Sequence, residues 1–127
     1  MVIKIKFTYP LFQRLFEYVE KNLSETISLG QLASIAKLSR YALCRFFRIH
    51  MGMSPMRWLL EFRVLVSLQL FSHHPEFCHT TVATHVGFSS ASHLAKAFRT
   101  VFAQSPTEAK KNLKSFLNGS LEKKLVW

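Results

Sequence analysis

Residues 29–55 of this chain are written a second time, with changes, at residues 79–106. The first stretch reads LGQLASIAKLSRYALCRFFRIHMGMSP and the second HTTVATHVGFSSASHLAKAFRTVFAQSP. Ala33, Lys37 and Ser39 return 50 positions later as Ala83, Gly87 and Ser89. After one extra residue, Leu43, Arg45, Phe47, Arg48, Ser54 and Pro55 return 51 positions later as Leu94, Lys96, Phe98, Arg99, Ser105 and Pro106. Each copy has a small residue, a turn position four places on, a Ser, and then apolar residues at helical spacing with basic ones between them. That is the pattern of a short helix, a sharp turn and a second helix. A chain that carries it twice is restricted to two similar helical units.

The flanking segments continue the helical period. Phe12, Leu15, Phe16, Val19 and Leu23 form one apolar stripe, which predicts an amphipathic helix from Pro10 to near Asn22. Ser28 with Gln31 predicts a capping box for a helix over 29–36. Ser39 is expected to cap a helix over 40–51 that Gly52 stops; the second copy gives a helix over about 80–86 and then one over 90–102, capped by Ser89. Ser54-Pro55 opens a longer helix to about Ser72, and Ser105-Pro106 a last one to about Leu117. The long helix is apolar nearly all round, through Trp58, Leu59, Leu60, Phe62, Val64, Leu65, Val66, Leu68, Leu70 and Phe71. Such a helix must be covered on both sides, so it is expected to pack against both repeats. The reading is all-α: seven helices, with two homeodomain-like helix-turn-helix subdomains joined by the long central helix. The expected organisation is an arm over 1–9, a first subdomain over 10–53, the linker helix over 54–72, a second subdomain over 73–117 and a tail over 118–127.

Charge narrows the partner. The chain holds 17 Lys and Arg against 7 Glu and no Asp, a net charge of +10. That imbalance points to a polyanion, nucleic acid before a membrane surface. The basic residues punctuate helices rather than forming a tail, which suits a folded binding face. No apolar run reaches the ~18–20 residues that span a bilayer, and the N-terminus has no signal-peptide core. Two cysteines, Cys44 and Cys78, make no disulfide framework, and a reducing bacterial cytoplasm fits. Paired carboxylates, a phosphate-binding Gly loop and a nucleophile motif are all lacking, so an enzyme is not expected. His73, His74, Cys78 and His79 could supply metal donors, but they lack Cys-x2-Cys or paired-His spacing. An ordinary polar connector is the preferred reading; neither a metal nor a cofactor is expected.

In a helix-turn-helix the first helix crosses the DNA backbone and the second enters the major groove. The helices cross closely, so Ala33 and Ala83 suit the contact. The turn favours Gly in a left-handed conformation, which Gly87 meets and Lys37 does not, at a cost of about 1 kcal/mol. Leu38 and Phe88 follow the turns as core plugs.

At this point the sequence resembles the AraC/XylS family of bacterial transcription regulators. The resemblance covers about residues 10–112, and VATHVGFSSASHLAKAFRTVFAQSP carries most of it. It implies a double helix-turn-helix that reads two successive major-groove segments as one protomer. The length is similar to that of the short MarA/SoxS-type members, which lack a sensing domain. The chain departs from the family pattern at Lys37 and Ala103, where Gly is usual, and at Ala109-Lys110, where Tyr-Arg is usual.

Candidate DNA contacts follow from helix faces and motif position. Base reading is expected from Tyr41, Cys44 and Arg45 in the first recognition helix. Arg45 leads, because Arg can hold guanine with two bonds. Lys96, with Ser92 and His93, is expected to read from the second helix, which is poorer in long hydrogen-bonding side chains. Phosphate contacts are expected from Arg40, Arg48, Arg57, Arg63 and Arg99, with helix N-termini at Ser28, Ser54 and Ser105. The expected partners are double-stranded DNA and RNA polymerase, with the protein bound as a monomer and no membrane involved. An activator of transcription is the working expectation, with activation or repression left open by the residues. Two alternatives stand: a sequence-tolerant architectural protein, or the C-terminal DNA-binding piece of a longer effector-responsive regulator.

Overall fold

A computed structural model describes residues 9–111. The expected continuation of the last helix to Leu117, the tail over 118–127 and all but Tyr9 of the N-terminal arm fall outside them. The described residues form seven helices: α1 Pro10–Lys21, α2 Leu29–Ala36, α3 Arg40–Met51, α4 Pro55–His73, α5 His79–His85, α6 Ala91–Phe102 and α7 Pro106–Lys111. No strand occurs among them.

The helix ends are set by local chemistry. Pro10 starts α1, and Asn22 ends it by donating from its Nδ2 to the Tyr18 carbonyl at 2.8 Å. Ser28 Oγ accepts from the Gln31 amide at 3.1 Å, and Gln31 Oε1 accepts from the Ser28 amide at 2.7 Å. This reciprocal box satisfies two donors that the first turn of α2 would otherwise leave unpaired. Ser39 caps α3 by accepting from the Ala42 amide at 3.1 Å, and Ser54 caps α4 by accepting from Arg57 at 3.2 Å.

The two inter-helix turns share one hydrogen-bond pattern. In the first, the Leu38 amide donates to Ala33 O at 3.0 Å and the Lys37 amide to Ser34 O at 3.1 Å. In the second, Phe88 donates to Ala83 O at 2.8 Å and Gly87 to Thr84 O at 3.2 Å. Both are Schellman endings, which require a left-handed residue just past the helix. Lys37 (φ 58°) and Gly87 (φ 87°) supply it. After the recognition helices, Gly52 (φ 70°) and Ala103 (φ 58°) take the same conformation.

One expected cap moves. Ser89 does not cap α6; Ser90 does, accepting from the His93 amide at 3.1 Å. The second turn is one residue longer than the first, so the slot held by Ser39 in the first copy passes to Ser90, one place beyond Ser89. Ser89 Oγ lies instead 3.3 Å from His93 Nδ1.

α4 is the element that both units share. Trp58, Leu59, Phe62, Val64, Leu65, Val66, Leu68, Leu70 and Phe71 are all buried. Each contributes roughly 1.5–3 kcal/mol of hydrophobic free energy. α4 packs on α2 and α3 in the first unit and on α5, α6 and α7 in the second. Phe47 meets Trp58 edge-on at 5.5 Å and Phe16 meets Phe62 at 5.1 Å, which binds the first unit to it. On the other side, Phe71 takes His79 at 5.1 Å and Lys110 over its ring at 5.0 Å. Ala33 and Ala83 are buried at the helix crossings. Phe88 is buried and Leu38 half-buried against the core.

Candidate nucleic-acid interface

Each recognition helix buries one face and exposes the other. α3 buries Leu43 and Phe47; α6 buries Leu94, Ala97 and Phe98. The outward face of α3 carries Tyr41, Arg45 and Arg48, with Cys44 half-buried at its edge. These four and Ile49 line one shallow surface depression. The equivalent positions on α6 present Ser92, Lys96 and Arg99, all exposed. Tyr41 and Ile49 are 75% and 66% exposed, which leaves two large apolar side chains on this face. Ile49 escaped the sequence reading, although it stands one turn beyond Arg45 on the same face.

The expected phosphate contacts separate. Arg40, Arg48 and Arg99 are exposed. Arg40 lies across the first turn of α2, where a Cβ on Gly30 would come within 2.8 Å of its Nη2. That brings a guanidinium to the Ser28-capped N-terminus of α2, and both attract anions. Arg57 Nε is paired with Glu61 at 3.0 Å, so a phosphate there would share it with a carboxylate. Ser54 is half-buried. At Ser105, Glu108 Oε1 accepts from the Ser105 amide at 3.5 Å and Ser105 Oγ from Glu108 at 3.2 Å. A carboxylate thus occupies the seat expected to take a phosphate.

Arg63 is placed differently from the other expected phosphate contacts. It is buried rather than surface-facing, and its guanidinium donates to three main-chain carbonyls: Leu23, Val86 and Glu25. Burial lowers its pKa. Three of its five N–H groups are thus spent on main-chain carbonyls inside the fold. His93 also differs in placement. It occupies the position on α6 that Ala42 holds on α3, its ring 5.1 Å from Phe88. It lines the crevice against Leu60 and Met56, on the flank of the Ser92–Lys96–Arg99 face.

The histidine-rich connector is built into the second unit. His74 Nδ1 lies 3.3 Å from Glu76, and its ring stacks on Phe77 at 4.5 Å. Cys78 caps α5, with Thr81 Oγ1 at 3.1 Å from its sulfur; that bond and the Thr81 amide lower the thiol pKa. His79 is held below the usual histidine range by burial and then by the Lys110 charge.

Two capped helices with exposed basic faces, each set against a shorter helix by a Schellman turn, define a DNA-binding domain of the double helix-turn-helix class. The helix-turn-helix domain family of AraC/XylS type matches residues 32–112. The chain belongs to that family. It is 30% identical over 99 residues to the uncharacterized HTH-type transcriptional regulator YdeC of Bacillus subtilis, covering 78% of this chain and 34% of that protein. It is 33% identical over 94 residues to the HTH-type transcriptional activator RhaS of Pectobacterium carotovorum, covering 74% of this chain and 33% of that protein. The chain therefore spans about a third of the length of these curated relatives. In structure it is similar to the DNA-binding domain of AdpA, solved in complex with a target DNA. The TM-score is 0.69 at 26% identity, over 87% of this chain and 97% of that one. Among the described residues no helix is long and apolar enough to cross a membrane.

Proposed function

We propose that this chain is a sequence-specific transcription regulator that enters two successive major-groove segments with α3 and α6, one protomer to each site. The observation that carries this is the equivalence of the two exposed faces. Tyr41, Arg45 and Arg48 on α3 stand where Ser92, Lys96 and Arg99 stand on α6. Arg45 reads a base, with Tyr41, Cys44 and Ile49 offering apolar or polar contact beside it. Lys96 and Ser92 read less, with His93 at the flank. Arg48, Arg99 and Arg40, helped by the Ser28 end of α2 and by Arg57 near Ser54, hold phosphates. The first helix thus supplies most of the specificity, and the second supplies affinity and register. The subdomain limits we favour are 10–53 and 73–117 about a linker over 54–72. RhaS is named a transcriptional activator, which supports activation; RNA polymerase as a further partner and the bacterial nucleoid in the cytoplasm as the place of action are part of the same proposal.

In-vitro selection from a random duplex library at two salt concentrations tests this. The expected result is an asymmetric site of ~20 base pairs with two unequal informative blocks about one helical turn apart. Salt-sensitive binding without enrichment would support the architectural alternative, because its specificity ratio is near unity.

A further inference from the structure

At the seam between the two helix-turn-helix units, one side chain meets one missing side chain. Arg63 leaves α4 midway along its length and is buried. Its Nη1 donates to the Leu23 carbonyl and, at 2.7 Å, to that of Val86; its Nη2 donates to that of Glu25 at 3.1 Å. Leu23 and Glu25 lie in the connection between α1 and α2, in the first unit. Val86 closes α5, in the second. A buried cation is tolerated only when its donors are used, and bonds from a charged donor are the stronger and more directional kind.

Gly87 belongs to the same device. A Cβ there would overlap Arg63 Nη1 and the Leu23 carbonyl and come within 2.8 Å of Arg63 Cζ. The second turn is therefore pressed against the first unit at a point where only hydrogen fits. Lys37, its counterpart in the first turn, is exposed. This accounts for a Gly in one copy and a Lys in the other, although both positions are left-handed. The remaining contacts of α4 with the second unit are mostly apolar. Apolar ridge-and-groove packing favours a crossing angle with a scatter of about 15–20°, and directional bonds from Arg63 narrow it further.

We infer that Arg63, seated against Gly87, is a strut that sets the angle between the two units, and that it is thereby the positioning residue for the spacing at which the chain reads two DNA segments. The spacing role rests on the two-groove reading above; the strut itself does not.

Two readouts separate these. The first uses no DNA. Spin labels at Ile49→Cys and Thr100→Cys, in a chain with Cys44→Ser and Cys78→Ser, report the distance between recognition helices by pulsed electron resonance. The chain with Arg63 and Gly87 intact is expected to give one narrow distribution; Arg63→Lys and Gly87→Ala are expected to broaden or split it. The second readout, without labels, compares binding to the selected site with the gap between its blocks altered by one or two base pairs. The native chain should prefer one gap by about tenfold, and the variants by less than about threefold, with base preferences inside each block unchanged. Circular dichroism identifies variants that keep their helices, and the comparison uses those. Arg63→Lys is included because it keeps the charge and loses the fork. Gly87→Ala displaces the guanidinium without removing it.

A broad distribution in the intact chain, or an equally narrow one in a folded variant, overturns the strut. A variant that broadens the distribution but keeps the native gap preference overturns the spacing role alone. A native chain with one narrow distance and no gap preference overturns the two-groove reading and the spacing role together, and leaves the strut standing.

Discussion

Lys37 holds φ 58° at the turn where its counterpart Gly87 holds 87°. A side chain in that region meets the following carbonyl, at a cost of roughly 1–2 kcal/mol, part of which Gly would give back as entropy in the unfolded chain. Lys37→Gly is expected to stabilise the fold by about 0.5–1 kcal/mol, and Ala103→Gly (φ 58° as well) by a similar amount. A higher urea midpoint with an unchanged slope is the result to look for; an unmoved midpoint would mean that the Schellman bonds already offset the strain. His79 offers a pH test. Burial against Phe71 and the nearby Lys110 hold its pKa below the ordinary value. The unfolded chain then takes up the proton first. Stability is full above pH ~6.5 and falls as the pH drops through the lower folded value. His79→Gln should flatten the loss of stability below that pH in a thermal series. Equal pH slopes in the two proteins would remove His79 from the account.

At the scale of the element, the sequence was most legible where chemistry is local. The caps at Ser28, Ser39 and Ser54, the left-handed stop at Gly52 and the ends of α2 and α3 each depend on residues within about four positions, and the structure has them as read. The cap of α6 is the exception, falling on Ser90, one residue beyond Ser89. Ser89 and Ser90 are adjacent and equally able to cap, and only the extra length of the second turn decides between them. The reading faces give the sharpest mutational contrast. Arg45→Ala should cost about 1–3 kcal/mol of discrimination at one base position. Arg48→Ala should weaken binding to all sequences and lower the salt slope by about one. Selection repeated with each variant checks both, and an unchanged preference for Arg45→Ala would take it off the reading face. Ile49→Thr, which copies Thr100, should leave stability within about 0.5 kcal/mol, because the side chain is exposed, while weakening preference at a thymine.

For the whole molecule, the net charge of +10 predicts affinity that falls steeply with salt. Each neutralised phosphate contributes about 0.9 to the slope of log K against log salt, and six to ten contacts is the rough range for the sequence's list. The structure buries Arg63 on main-chain carbonyls and places Glu108 at Ser105, so a slope near the lower end is expected. A slope steeper than about −9 would require cations outside this set.

What the sequence determined alone was whatever repeats with the period of a helix or sits beside its own partner: seven helices, two turns, a doubled reader and its positive charge. What tertiary structure decided was the fate of Arg63. By spacing it is one more basic residue on a helix. Its carbonyl partners stand 40, 38 and 23 residues away, at Leu23, Glu25 and Val86. They converge on it only when α4 is enclosed by both units. A charge is read as surface or strut according to where water is excluded, and that depends on the packing of the whole chain.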